Sequence, residues 1–215
     1  MTVLHQTQIT ESKDQWAFEN SEGEPFSVKD IRKQLAEQTT HQSFVQPFDW
    51  NNWATLKVSF LAWRALMGKV ASKVGLTERG VSIPNIICDR CGIGREDVDH
   101  LFTSCLFARS IWWNVFAWIR VPFLLAASSL ADIFDRIKHS PGSSKWRKTV
   151  HLVILATVWR IWIARNKKTF EGSFVPVSRS VEMIKEDSYL WIRHRRKSNA
   201  LDWKKWIDFD IFELL

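Results

Sequence analysis

The spacing of apolar residues along the chain predicts a mainly helical protein. Between residues 56 and 67, apolar side chains recur every three or four positions, which places them on one face of a helix. Near the N-terminus, residues 16–18 and 25–28 flank a polar turn and predict a short β-hairpin. The same helical period, together with capping serines, predicts further helices over about 28–38, 70–79, 105–119, 129–138, 145–170 and 178–197. The expected fold is a helical bundle with a small N-terminal hairpin.

Breaks in this pattern divide the chain into three predicted regions. Residues 39–49 have the composition of a linker, and Pro122 ends a helical pattern. We expect a hairpin and helix in 1–50, a module holding every cysteine in 51–125, and a helical region with a basic tail in 126–215.

The charge of the 215-residue chain is concentrated towards its C-terminus. The net charge is +7, and half of the 30 Lys and Arg residues lie within 141–215. Such a bias is typical of proteins that bind polyanions, above all nucleic acid. A solvated basic face has the same composition, so both interpretations stay open at this point.

Composition also indicates the compartment. The three cysteines are an odd number, which excludes a complete disulfide framework. The first residues are polar and do not resemble a signal peptide, so we expect an intracellular protein, in the nucleus or the cytoplasm. Arg120 and Arg160 interrupt the two most apolar stretches, which therefore predict buried or amphipathic helices and no membrane partner.

The three cysteines lie within eighteen residues of one another, and a histidine lies between them. Cys88 and Cys91 form a Cys-x2-Cys pair, and His100 and Cys105 form a His-x4-Cys pair. Three thiolates and an imidazole favour zinc, and four protein ligands favour a structural site over a catalytic one. The sequence therefore predicts one structural Zn²⁺. The alternative is three buried free thiols beside an unrelated histidine.

The acids that follow Cys91 allow two roles. Glu96, Asp97 and Asp99 could accept a hydrogen bond from the histidine, or they could simply begin a helix, where negative charge suits the dipole. We favour the second role. Gly92 and Gly94 allow the loop to turn sharply.

The chain contains none of the common catalytic motifs. Gly-x-Ser-x-Gly, a Walker loop and Gly-x-Gly-x-x-Gly are all missing from the sequence, and so is any Asp-Asp pair. We therefore expect no catalytic residue, no enzymatic activity and no small-molecule substrate.

The densest positive run, at 193–197, is followed by a second run at 203–206 that includes two tryptophans. Basic side chains can contact phosphates while indoles stack on bases. Alternatively, the cations oppose a helix dipole and the tryptophans pack on the core. The predicted nucleic-acid-binding residues are Arg193, Arg195, Arg196, Lys197, Trp203, Lys204, Lys205 and Trp206.

The four candidate ligands lie inside a characteristic frame. Phe60-Leu-Ala-Trp63-Arg64 and Leu76-Thr-Glu-Arg79-Gly80 precede them, His100-Leu101-Phe102 leads to Cys105, and Ile111-Trp112 follows. In this order the motifs resemble the reverse transcriptase zinc-binding domain of plant non-LTR retrotransposons. The likeness spans about residues 16–209. Leu56 stands where the family usually has proline, and 69–72 replace its Leu-Pro-Thr stretch, which affects local loop shape.

The resemblance implies a C-terminal fragment of a retroelement polyprotein, in which the zinc module assists RNA or DNA binding. It implies no polymerase activity, because a polymerase palm needs paired aspartates to hold magnesium. The alternative is a zinc-stapled scaffold that binds a host protein, as a relic or a domesticated element.

Overall fold

Eight α-helices and one π-helical turn form the regular structure of the residues that the computed structural model describes, which are 27–39, 48–122, 127–196 and 201–211. The helices are α1 (Val28–Thr39), α2 (Leu56–Leu66), α3 (Lys73–Thr77), α4 (Leu106–Trp118), α5 (Leu130–Lys138), α6 (Ser144–Glu171), α7 (Val177–Arg196) and α8 (Trp203–Ile207), and the π-helical turn is His100–Ser104. The prediction of a mainly helical fold is confirmed for this part of the chain.

The predicted N-terminal hairpin lies almost entirely outside the described residues. At its predicted end, Val28 is the first residue of α1 and not part of a strand. Ser27 Oγ accepts a hydrogen bond from Lys29 N at 3.2 Å, so the serine satisfies a backbone donor that the first helical turn leaves free. Within the described ranges, β structure is limited to one isolated antiparallel bridge between Ile87 and Arg95.

The chain divides into two units, residues 1–46 and residues 47–215. In the second unit, α6 lies at the centre and packs against α2, α4, α5 and α7, and α4 also packs against α7. Helices from both sides of residue 125 therefore share one hydrophobic core.

Helix α6 differs from a simple amphipathic helix. The sequence period indicated a single apolar face, but every residue from Leu152 to Ala156 is buried. Four neighbouring helices cover this segment, so no side of it is left for water. No helix in the described ranges is long and apolar enough to span a membrane.

Local capping explains where the short helices begin. Ser72 Oγ accepts a hydrogen bond from Gly75 N, so α3 starts at Lys73 and is shorter than the predicted 70–79 helix. Ser129 and Asp132 form a capping box at the start of α5, in which each side chain accepts from the other residue's backbone N–H. These backbone hydrogen bonds lower the pKa of Asp132.

Candidate metal centre

The structure brings the four predicted ligands together. Their ligand atoms all lie within 4.8 Å of one another. The Sγ atoms of Cys88 and Cys105 are 3.9 Å apart, and Cys91 Sγ lies 3.3 Å from His100 Nε2. Tetrahedral zinc with Zn–S bonds of about 2.3 Å would place two sulfurs about 3.8 Å apart. The donor set and its spacing therefore fit a four-coordinate zinc ion.

The first pair of ligands lies in a tight loop, residues 86–96, which we call the metal loop. Cys88 N donates to Gly94 O at 2.9 Å, and Glu96 N donates to Ile86 O at 2.8 Å, so the two arms of the loop pair like a miniature hairpin. At its tip, Gly92 has φ of +69°, a conformation that glycine adopts without steric cost. The loop thus presents Cys88 and Cys91 to the same point.

The second pair comes from the π-helical turn. Asp97 Oδ1 accepts a hydrogen bond from His100 N at 2.7 Å and holds the start of the turn. Cys105 N donates to His100 O at 2.8 Å, and Cys105 leads directly into α4. The wide turn brings the ligands at positions 100 and 105 to one side, an example of a π turn at a functional site.

The acids near the site do not contact the histidine ring. Asp97 caps the turn as a helix-starting acid should, and Asp99 Oδ1 accepts from Leu130 N at 3.3 Å. His100 Nδ1 lies 3.5 Å from Ser104 Oγ instead. The role that we favoured holds for Asp97, whereas Glu96 has a different partner, described below.

The close contact between the two buried sulfurs shifts the pKa values of their thiols in opposite directions. The hydrogen bond from Cys105 lowers the pKa of the Cys88 thiol to about 4, and the same bond, together with burial, raises the pKa of Cys105. Thiolates are the form that binds zinc, so metal binding at this pair would release the proton that the two sulfurs share.

A buried ion pair fastens the metal loop to the central helix. Glu96 Oε1 accepts from Arg165 Nη2 at 2.6 Å and from the backbone N of Lys73 at 3.1 Å. The side chains of Glu96 and Arg165 are 0% and 4% exposed. Sequence analysis did not find this pair. Its one signal was Arg165 itself, a cation on the apolar face of α6.

Two further side chains of the metal loop reach the C-terminal helices. Asp89 accepts from Lys73 Nζ at 2.7 Å and from Thr169 Oγ1 at 2.9 Å. Arg90 Nη2 donates to Val175 O at 2.8 Å. The metal loop is therefore attached to α3, to the end of α6 and to the segment between α6 and α7.

Gly94 touches the histidine ligand, and we expect Gly94→Ala to weaken zinc binding by about tenfold, at the low end of the range for changes just outside the ligand shell. A Cβ at this position would lie 2.6 Å from His100 Nδ1, so the imidazole would have to move. The measurement is competition for zinc against a chromophoric chelator.

Gly92→Ala is the matched control for this prediction. It strains a left-handed backbone by about 1–2 kcal/mol but meets no atom within 4 Å. Equal zinc affinity of Gly94→Ala and the unmodified protein would mean that the ring tolerates displacement.

The predicted nucleic-acid-binding residues at the end of α7 differ in the hydrogen bonds that their side chains make. Arg193 is exposed and its Nη1 donates to Tyr189 Oη at 3.3 Å. Arg195 is also exposed, but its Nη1 donates to Ala54 O at 2.9 Å. Arg196 is the last residue of α7, and its side chain, like the whole of Lys197, lies outside the described part of the chain.

The predicted nucleic-acid-binding residues of α8 differ in their exposure to solvent. Lys204 is exposed, Lys205 is half-buried, and the indole of Trp203 is 39% exposed. Trp206 is fully buried and its Nε1 donates to Lys185 O at 2.9 Å. As a core residue it presents no ring face to a base, which corrects its assignment as a stacking residue.

Comparison with known proteins identifies the segment that holds the metal centre. Residues 26–112 match a protein-family model described as zinc-binding in reverse transcriptase, and all four ligands lie inside the match. No curated protein and no solved structure matches the chain. The resemblance inferred from the motifs is confirmed at this coarser level: residues 26–112 are similar to the zinc-binding segment of reverse transcriptases.

Proposed function

We propose that this protein is a non-catalytic module that binds one structural zinc ion through Cys88, Cys91, His100 and Cys105. The observation that carries the proposal is the convergence of the four ligand atoms within 4.8 Å, inside the segment that matches the family. Three thiolates and an imidazole select zinc over hard cations such as magnesium. Four protein ligands complete a tetrahedral shell, so a structural role fits better than a catalytic one.

We further propose that the module comes from a reverse transcriptase of a plant non-LTR retrotransposon and assists its binding to RNA or DNA. The family match supports an origin in a reverse transcriptase, and the order of the sequence motifs supports the plant non-LTR element. The net charge of +7 and the cations of α7 and α8 support the second.

The contacts around Tyr189 support a nucleic-acid surface made of residues on both helices. Tyr189 accepts from Arg193, and its ring meets the indole of Trp203 at a centroid distance of 5.0 Å. Lys204 is next in sequence. A partly exposed indole beside exposed cations is the combination that binds single strands by stacking and phosphate contact. The basic surface, as we use the term, consists of the predicted contacts whose side chains the structure describes: Arg193, Arg195, Trp203, Lys204 and Lys205.

The test is a titration with single-stranded RNA at several salt concentrations. If four cations contact phosphates, the logarithm of affinity should fall with the logarithm of salt with a slope of about −3, from roughly 0.7 per contact. Replacing both Arg193 and Lys204 with Gln should flatten the slope by about 1.4 and weaken all sequences alike.

Lys138→Gln is the matched control, because Lys138 is an exposed cation at the end of α5. It should leave both the slope and the affinity unchanged. If the double variant behaves like this control, the basic surface is not the contact.

The alternative is that the protein is a scaffold for a host protein, and the exposed rings of Phe170 and Phe174 favour it. They are 77% and 61% exposed. Apolar rings in such positions often mark protein contacts. Binding through them would be insensitive to salt, so the same salt series separates the two functions.

A further inference from the structure

The guanidinium of Arg90 is held in place from three directions. Its Cζ lies 3.5 Å from the ring centroid of Phe107 on one side and 4.1 Å from that of Phe174 on the other. Its Nη2 donates to Val175 O at 2.8 Å. Arg90 lies between Cys88 and Cys91 in sequence, so the metal loop carries this cation next to the metal centre.

The other two nitrogens of the guanidinium are buried without a partner. Within the described part of the chain, neither Nε nor Nη1 of Arg90 has a hydrogen-bond acceptor. One of the two rings that enclose it, Phe107, lies two residues after Cys105 in the chain, and Cys88 and Cys91 flank Arg90 itself. A buried donor without an acceptor is costly unless another interaction compensates for it.

The other buried cations near the metal loop are already neutralised. Lys73 pairs with Asp89, and Arg165 pairs with Glu96. Among the described residues, Arg90 makes no ion pair with a carboxylate. No described carboxylate therefore neutralises its charge.

The metal centre needs one positive charge. Three thiolates, a neutral imidazole and one Zn²⁺ sum to a net charge of −1. Cys88 and Cys105 are buried, so water does not screen this charge fully. A fixed cation beside the two sulfurs would stabilise the loaded site.

We propose that Arg90 is a positioning residue of the zinc site. Its guanidinium lies between the rings of Phe107 and Phe174 and balances the charge of the three-thiolate centre. Through its hydrogen bond to Val175, it also couples zinc binding to the packing of the segment between α6 and α7 on the metal loop. The inference rests on the proposed function, since it requires that the site binds zinc. It adds two residues to the site: Arg90, which balances the charge, and Phe174, which holds the guanidinium in place.

The first experiment measures zinc affinity in full-length Arg90→Met and Arg90→Lys by chelator competition. Arg90→Met keeps much of the side-chain volume but loses the charge, so its affinity should fall 10–100-fold, as is typical for residues just outside a metal's ligands. Arg90→Lys keeps the charge and should recover part of this loss. Arg95→Met, which removes an exposed cation of the same loop, is the matched control and should bind zinc normally.

The second experiment uses cobalt(II) in place of zinc as a spectroscopic probe. A cation near the thiolates lowers the energy of the sulfur lone pairs. Its removal in Arg90→Met should therefore shift the thiolate-to-cobalt charge-transfer band to longer wavelength, while the tetrahedral d–d bands persist. A purely structural role of Arg90 would not produce this shift.

Phe174→Ala keeps the proposal testable if Arg90→Met does not fold. Phe174 lies outside the metal loop and is largely exposed, and its loss frees one face of the guanidinium. We expect a smaller decrease in zinc affinity in the same direction. Zinc affinity within twofold of the unmodified protein in Arg90→Met, or in Phe174→Ala if Arg90→Met is unfolded, would overturn the proposal. So would an Arg90→Lys variant as weak as Arg90→Met.

The unmodified protein, measured in the same series, separates this inference from the proposed function. If it binds no zinc, the proposed function fails and the inference fails with it. If it binds one equivalent and Arg90→Met binds equally well, only the inference fails.

Discussion

Removing zinc with a chelator should unfold the metal loop and the π-helical turn and loosen the C-terminal end of α6. Structural zinc contributes roughly 10–16 kcal/mol of apparent binding free energy, as much as the whole stability of many domains. Without the ion, the loop also loses its hold on Arg165 and Thr169 of α6. The buried segment around Leu152–Ala156 is covered by other helices and should keep its protection. Hydrogen exchange with and without chelator measures each segment.

The variants for this prediction are His100→Gln and its matched control His139→Gln. His139 is an exposed histidine at the end of α5 and is not one of the four candidate ligands. The unmodified protein and the control should contain one zinc per chain by metal analysis, and His100→Gln less than half an equivalent. A thermal transition that does not change on chelation would show that the metal is peripheral.

Removing either partner of the Glu96–Arg165 pair should destabilise the zinc-loaded protein by about 3–5 kcal/mol, because the remaining charge stays buried without its partner. The carboxylate also accepts from the backbone of Lys73, so Glu96→Ala should cost at least as much as Arg165→Met. Urea unfolding measures both free energies. The double variant Glu96→Met with Arg165→Met should cost less than the sum of the two single changes.

Arg179→Met is the control for burial, since Arg179 pairs with Glu182 and Glu186 at the protein surface. Water solvates the carboxylates that this change leaves behind, so stability should hardly change. A cost of Glu96→Ala no larger than that of Arg179→Met would show that water reaches Glu96 and that the pair does not fasten the loop.

The four candidate metal ligands could be predicted from sequence because each pair is local. Cys88 and Cys91 are separated by two residues, and His100 and Cys105 by four, so a single turn of backbone brings each pair to one side. The periodic apolar positions likewise predicted α2, α4, α5, α6 and α7 to within a few residues. Such patterns record local geometry, which does not depend on the rest of the chain.

The interactions that hold the metal loop in place were not predictable in the same way. Glu96 and Arg165 are 69 residues apart, and Arg90 and Val175 are 85 residues apart. The sequence around a charged residue does not indicate which distant residue will pair with it in the folded protein. The sequence around Glu96, the last residue of the metal loop, is therefore the same whether this acid begins a helix or binds a buried arginine.

The two tryptophans of α8 show what sequence determines about this protein and what the tertiary structure decides. Composition placed Trp203 and Trp206 among lysines and left stacking on bases and packing on the core as equal options. The structure buries Trp206 against Trp118, with ring centroids 5.4 Å apart, and leaves Trp203 partly exposed beside Tyr189. Sequence determined the helices and the metal ligands, because these depend on neighbours along the chain. Only the packing of α8 on α7 decided which indole faces water, since burial depends on residues that are distant in sequence.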